Sequence, residues 1–381
     1  GVFDYDPNGA VFSGATDSFT YATYSDSVLV DQISLDDMDA SQGFTMWGPE
    51  VGGLTGQSVS VVGDVNGDGY ADVMIGAPYA DTTDMAGDAY LVYGSADGPG
   101  TDIALSDLDG THGVRLTGMS VSERFGIAVA GLGDINGDGY DDFAVGATYG
   151  DFDDGSSSRT SGEMYVVFGK NGSFGSEFDV TTLDGTDGFA VHSLTGGNAL
   201  GVSAASAGDL NGDGLDDILI GAPRAASRDG LAYVIYGQET AYSADIDPNA
   251  LDGAQGFVIS GADDDGVIGA SVAALGDVNG DGLNDFVVGA AHADVDGQNK
   301  AGAAYVVFGN GLGFDDVNLA DLDGSNGFRL TGGHAEDRAG QAVSSAGDIN
   351  GDGLMDFAIG SPFNDARQPD GGRIAIYFGG E

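Results

Sequence analysis

The nonapeptide Asp-x-Asn-x-Asp-Gly-x-x-Asp stands five times in this chain: DVNGDGYAD (64–72), DINGDGYDD (134–142), DLNGDGLDD (209–217), DVNGDGLND (277–285) and DINGDGLMD (348–356). The copies start 70, 75, 68 and 71 residues apart. A period of that length marks a repeat architecture, in which each unit is one supersecondary element that needs its neighbours to bury an apolar face. Other words keep the same step. Each acidic loop runs into VMIGAP, FAVGAT, ILIGAP, FVVGAA or FAIGSP; then come AYLVYG, MYVVFG, AYVIYG, AYVVFG and IAIYFG, and finally GVRLTG, GFAVHS, GFVISG and GFRLTG. With the run before the loop (SVSVV, IAVAG), each unit offers four short strands. Helical periodicity is missing and Gly closes nearly every run. The 69 Gly among 381 residues suit short strands joined by tight turns.

Four strands per unit, repeated, predict an all-β fold, a β-propeller. The units exceed the usual blade length because the connection from third to fourth strand is long, as in GSADGPGTDIALSDLDGTHG. The third-strand word occurs five times, whereas the fourth follows it only four times. GFTMWG (43–48) stands before the first loop with no blade of its own. Five four-stranded blades are therefore expected, the N-terminal strand closing the last and removing an open edge. The alternative is part of a seven-bladed ring. Residues 1–40 read as an extension and 41–381 as the propeller.

In the acidic loop, oxygens at positions 1, 3 and 5 point to one centre, Gly at 6 permits the turn, position 7 offers its carbonyl and Asp at 9 completes the shell. Hard oxygens in this number suit Ca²⁺, which takes 6–8 ligands. The first loop offers Asp64, Asn66, Asp68, Tyr70 by its carbonyl, and Asp72. The second offers Asp134, Asn136, Asp138, Tyr140 and Asp142; the third Asp209, Asn211, Asp213, Leu215 and Asp217. The fourth offers Asp277, Asn279, Asp281, Leu283 and Asp285; the fifth Asp348, Asn350, Asp352, Leu354 and Asp356. Without a cation these carboxylates repel. An EF-hand is excluded, because its acidic position 12 is here Ile75, Val145, Ile220, Val288 or Ile359. A metal-free Asx turn would explain one copy more readily than five in step. Five structural Ca²⁺ sites are expected, with Mg²⁺ disfavoured because it keeps several waters.

The chain carries 61 Asp+Glu against 11 Lys+Arg, a formal net charge of -50. Such a surface does not seek nucleic acid or anionic membranes. Bound calcium would offset only part of that charge, so a saline habitat is the expected second cause. With 41% hydrophobic residues the acid sits on a folded body. Cysteine is absent, which excludes disulfides and thiolate chemistry. No apolar run reaches a membrane-spanning length and no membrane insertion is expected. The first residues, GVFDYDPNGAVFSG, lack the pattern of a signal peptide, so any export address is expected outside this chain.

On these residues the chain resembles the FG-GAP repeats of integrin alpha chains and their bacterial relatives over about 43–379. Phe-Gly itself stands only at Phe125-Gly126, its place being taken by Thr55-Gly56, Leu200-Gly201, Ile268-Gly269 and Ala339-Gly340, while Gly-Ala-Pro stands at 76–78 and 221–223. The resemblance implies a calcium-stabilised propeller on an extracellular or cell-surface protein. It does not fix a ligand. Integrin propellers have seven blades, so a count of five departs from the family. Residues 4–26 resemble the tail of a bacterial cadherin-like repeat of large adhesins, which implies neighbouring modules in a longer chain. A rival reading makes SFTYATY (18–24) another third strand.

Loops joining strands 2 to 3 and 4 to the next 1 vary in length, and binding usually lives on such loops. They hold Arg124, Arg159, Arg224, Arg228, Lys300, Arg338 and Arg367. An Arg there could hold a carboxylate or sulfate bidentately, or pair locally, as Glu123 beside Arg124 and Asp337 beside Arg338 suggest. His112, His192, His292 and His334 fall at unrelated repeat positions, though His292 and His334 could face a ligand. Trp47 reads as core or rim, and Tyr90, Tyr165, Tyr233 and Tyr305 recur in step as core. No catalytic motif is present. The expected function is a calcium-stabilised adhesion module that binds a glycan or surface protein through the variable-loop face. A polysaccharide-active enzyme and a structural spacer are the alternatives.

Overall fold

The computed structural model describes residues 43–80, 86–96, 102–117, 123–148, 161–193, 197–261, 266–365 and 371–380. Gly1–Phe44 and Thr45–Glu381 separate as two compact units. The cadherin-like stretch and SFTYATY lie outside the described residues. Among the described residues the second unit is β, with single turns of 3₁₀ helix between strands.

Each repeat folds as read from its words. Repeat 1 runs Ser58–Gly63, Asp72–Ala77, Asp88–Val92 and Gly113–Thr117, each strand antiparallel to the next. Repeat 2 runs Phe125–Gly133, Asp142–Ala147, Glu163–Val167 and Gly188–His192. Repeat 3 runs Ser203–Gly208, Asp217–Ala222, Leu231–Ile235 and Gly256–Ser260. Repeat 4 runs Ile268–Gly276, Asp285–Ala290, Ala303–Val307 and Gly327–Thr331. Repeat 5 contributes Ala342–Gly347, Asp356–Ser361 and Arg373–Tyr377. These are the sheets of a β-propeller. The second and third strands of repeat 2 are buried along their whole length, which is why their words are continuous apolar runs and not alternating ones. The acidic loop joins first and second strands, and a register shift beside it, as between Val61 and Gly63, occurs in all five repeats.

The core lies between blades. Val62, Leu91 and Leu116 of repeat 1 pack with Phe143, Val145 and Tyr165 of repeat 2, and comparable clusters join the later pairs. Tyr90, Tyr165, Tyr233 and Tyr305 are buried in it as expected. First strands of successive repeats lie against one another. One contact explains two of the recurring glycines. A Cβ on Gly76 would stand 1.9 Å from the Gly126 carbonyl oxygen of the next repeat, and Gly146, Gly221 and Gly289 meet Gly201, Gly269 and Gly340 in the same way. The Gly of the Phe-Gly position, with φ near +80° at all four, and the Gly of the Gly-Ala position are thus the two halves of a backbone approach that no side chain permits.

The expected ring closure is not seen among the described residues. Thr45–Trp47 pairs parallel with Asp102–Ala104 in the long connection of repeat 1, and the last sheet has three strands. The pairing follows a rule not legible in the words: a short strand in each connection adds to the fourth strand of the preceding repeat. Glu177–Asp179 pairs with Gly113–Thr117, Asp245–Ile246 with Gly188–His192, and Val317–Asn318 with Gly256–Ser260. Thr45–Trp47 therefore occupies a fourth-strand place towards repeat 1, without the third strand that was to complete its blade. First strands of repeats 1 and 5 make no contact like that of successive repeats. Val59 and Val61 at one end, and Ile374 and Ile376 at the other, are exposed, as is Trp47. No helix among the described residues is long and apolar enough to cross a membrane.

Candidate metal loops and the opposite face

The five acidic loops share one geometry. In the first, Asp64 Oδ2 accepts the Gly69 N–H at 2.8 Å, Asn66 Oδ1 accepts the Asp68 N–H at 2.8 Å and Asp68 Oδ1 accepts the Tyr70 N–H at 2.9 Å. The same three bonds recur at 2.8–3.0 Å around Asp134, Asp209, Asp277 and Asp348. Gly at position 6 holds φ of 86–94° in every loop, a conformation that side chains disfavour, and this turn aims the amides inward. Positions 1, 3 and 5 are thereby gathered over one small nest of N–H groups.

Position 9 stands apart. Asp72 is fully buried; its Oδ2 accepts the Val65 N–H at 3.1 Å and its Oδ1 the Gly94 N–H at 2.8 Å. Asp142, Asp217, Asp285 and Asp356 make the same pair of bonds, to the residue after position 1 and to the Gly that ends the third-strand word. This carboxyl staples the loop to the end of the third strand. The partner Gly lies 22 residues from Asp72, too far for loop spacing to reveal it. The signal was the Gly that ends each third-strand word: Gly94, Gly169, Gly237, Gly309 and Gly379. Burial pushes Asp142 up to about 8, Asp217 and Asp285 up to about 7 and Asp72 up to about 6, against the two N–H bonds; the carboxylates at positions 5 and 1 push in the same direction as burial.

Loops of neighbouring repeats also touch. Asp141 Oδ2, at position 8 of the second loop, accepts the Asp64 N–H at 2.8 Å. Among the described residues no three acidic or histidine side chains already stand round a common metal position. The donor chemistry nevertheless fits a hard cation. The Asp64, Asn66 and Asp68 oxygens and the position 7 carbonyl are hard donors, and the buried Asp72 lies in the field of the same two carboxylates. No thiol or imidazole competes in the loop.

The variable loops meet at the opposite end. Arg338 donates its backbone N–H to the Lys300 carbonyl, which joins a strand 2–3 loop to a strand 4–1 loop. Arg338, Lys300 and Arg124 have local partners. Arg338 lies over the Phe363 ring at 4.4 Å and 3.7 Å from Glu336, which also stands 3.7 Å from Lys300. Arg124 lies over Tyr79 at 5.1 Å. Arg159 and Arg367 fall outside the described residues. The histidines do not gather: His112 faces Asp109, His192 faces Asp245 and His334 faces Asp337, at 3.5, 3.8 and 3.5 Å. Within the blades, buried Asp88 accepts bonds from Tyr90 and Arg115, and Tyr165 bonds Glu163, an acid-tyrosine pairing written as D-x-Y and E-x-Y in the third-strand words.

Comparison with known proteins agrees with this geometry. The FG-GAP repeat model matches at 55–92, 125–162, 201–235, 269–307 and 339–377, once for each of the five repeats. Integrin alpha-5 of Xenopus laevis is 29% identical over 242 residues, covering 62% of this chain and 20% of that protein. Integrin alpha-6 of Gallus gallus is 35% identical over 167 residues, 44% of this chain and 13% of that one. Phosphatidylinositol-glycan-specific phospholipase D of Bos taurus is 32% identical over 184 residues, 46% and 20%. The chain thus spans a fifth or less of the length of these relatives.

Proposed function

For a chain built of five FG-GAP repeats, we propose a calcium-stabilised adhesion module of a large extracellular or surface protein, bacterial in type and suited to a saline habitat. The observation that carries the reading is the fivefold recurrence of one loop geometry with the same oxygen donors. In each loop the side chains at positions 1, 3, 5 and 9 and the carbonyl at 7 would hold Ca²⁺, and the buried Asp at 9 would also fix the loop to its blade. A bound cation would supply the positive charge that relieves repulsion among these carboxylates. The role is structural: five separate loops do not converge on one reaction centre.

Ligand binding is assigned to the variable-loop face, with a glycan or surface protein as partner and neighbouring modules on the same chain. Similarity to integrin alpha chains supports adhesion. The local pairing of Arg338, Lys300 and Arg124 favours a second reading, a structural spacer, over an enzyme. Binding to glycan and protein arrays, in millimolar Ca²⁺ and again in chelator with product masses read afterwards, separates the three. The proposal expects calcium-dependent binding without cleavage. Cleavage would make the chain an enzyme, and silence on every array would leave the spacer.

A further inference from the structure

Three of the acidic loops are tied to the loop of the repeat before them, and the tie runs through the backbone that carries their own oxygens. The position 7 carbonyl and the position 8 N–H belong to one peptide unit. Between Tyr140 and Asp141 the carbonyl is one of the oxygens of loop 2, while the N–H is donated to the Asp64 carbonyl of loop 1 at 3.3 Å. In the same way the Asp216 N–H reaches the Asp134 carbonyl at 3.2 Å and the Met355 N–H the Asp277 carbonyl at 2.9 Å. A second bond runs beside the first. The Gly that donates to the position 9 carboxylate is followed by a residue whose N–H goes to the preceding loop: Lys170 to the Val65 carbonyl, Gln238 to that of Ile135 and Gly380 to that of Val278, each at 2.9 Å. One repeat thus holds positions 1 and 2 of its predecessor's loop.

Loops 3 and 4 are the exception. Among the described residues the Asn284 N–H makes no bond to the Asp209 carbonyl, and the Asn310 N–H makes none to the Leu210 carbonyl. Both links are missing together, although the first strands of repeats 3 and 4 lie against each other as the others do. The five loops therefore fall into two linked groups, loops 1 to 3 and loops 4 and 5.

We propose that calcium uptake is positively coupled within each group and uncoupled between loops 3 and 4, an inference that rests on the calcium reading of the five loops. A cation on the position 7 carbonyl polarises that peptide unit and strengthens its N–H bond to the preceding loop. The bond fixes the backbone of position 1 there, whose carboxylate is the first oxygen of the neighbouring site, so the second ion has less chain left to order. Coupling between two binding sites is reciprocal, so the link acts in both directions. Position 8 and the residue after the third-strand Gly are then positioning residues: they are not among the oxygen donors of their own loop and serve the loop of the preceding repeat. Repulsion between ions in adjacent loops would act with the opposite sign and on both sides of loop 3. Sign and asymmetry are therefore both diagnostic.

The test is amide hydrogen exchange of the full chain across a Ca²⁺ titration, read by mass spectrometry on peptides covering each loop, in the unaltered chain and in Asp213→Ala. The Asp213 carboxylate accepts bonds only from within loop 3, so the variant removes one oxygen and breaks no bond between loops. The calcium midpoint of loop 2 is expected to rise about fivefold or more while that of loop 4 stays within about twofold. A loop 2 midpoint that stays level or falls would overturn the coupling. So would midpoints of loops 2 and 4 that rise alike, the result of packing loosened on both sides of repeat 3. An unaltered chain in which calcium protects no loop would overturn the calcium reading itself, an outcome distinct from five loops that fill independently.

Discussion

Asp213 and Asp217 stand four residues apart in one loop and hold it by different means. Asp213 is exposed and accepts from the Leu215 N–H and the Asn211 side-chain amide within its own loop, whereas Asp217 is fully buried and accepts from Leu210 and Gly237. Asp217→Ala would leave two buried N–H groups unpaired, at about 1–3 kcal/mol each. It should lower stability by about 2–5 kcal/mol in denaturant melts even in chelator. Asp213→Ala should stay within about 0.5–1 kcal/mol in chelator and lose one loop's share of the calcium stabilisation. Equal losses for the two variants in chelator would contradict these roles. The buried carboxyls also set a pH dependence. Their folded-state values, from about 6 at Asp72 to about 8 at Asp142, lie above those of the unfolded chain, so the folded state holds the extra protons. Their contribution is fully present below the unfolded value of 3.8 and is lost as pH rises through the folded values, about 6 to about 8. In chelator the melting temperature should therefore fall between pH 5 and pH 9, less steeply in Asp142→Asn, and Ca²⁺ should flatten the fall. A chelated protein whose melt is level or rises over that range would refute the assignment. Loop spacing made positions 1, 3 and 5 legible as one oxygen set. It did not reveal the stapling of position 9, because the Gly94 amide reaches Asp72 only once the third strand has folded back.

At the scale of the element, the strand words were legible because the second and third strands of repeats 1 to 4 are buried almost throughout and so read as unbroken apolar runs. The short strand inside each connection was not. Asp245–Ile246 is two residues long and carries no alternation; its pairing with repeat 2 is a product of packing between repeats. The same lack hid the partner of Thr45–Trp47, which reads as a closing strand yet bonds the connection of repeat 1. The glycines report the packing directly. A Cβ on Gly221 would stand 1.9 Å from the Gly269 carbonyl oxygen, whereas on Gly360 the nearest atom is the Ala342 Cβ at 3.5 Å. Gly221→Ala should therefore cost about 3 kcal/mol or more by overpacking, and Gly360→Ala should be tolerated. Comparable thermal shifts for the two would mean that another repeat packs on the second strand of repeat 5.

Within Thr45–Glu381 the core lies between neighbouring blades, so the stability of this unit is a sum of repeat and interface terms. Against that sum stands a formal net charge of -50, with the acidic loops repeated on one end of every blade. A cation bound only by the folded chain at ten times its dissociation constant adds about 1.4 kcal/mol per site, and five sites acting together would change the melt of the whole unit. The most direct measurement is a calorimetric calcium titration of the chelator-stripped chain, with the melting temperature read at each point. The account predicts saturable uptake by five sites and a melting temperature that climbs with calcium and returns on chelation. A melt that does not move between excess chelator and millimolar Ca²⁺ would contradict it.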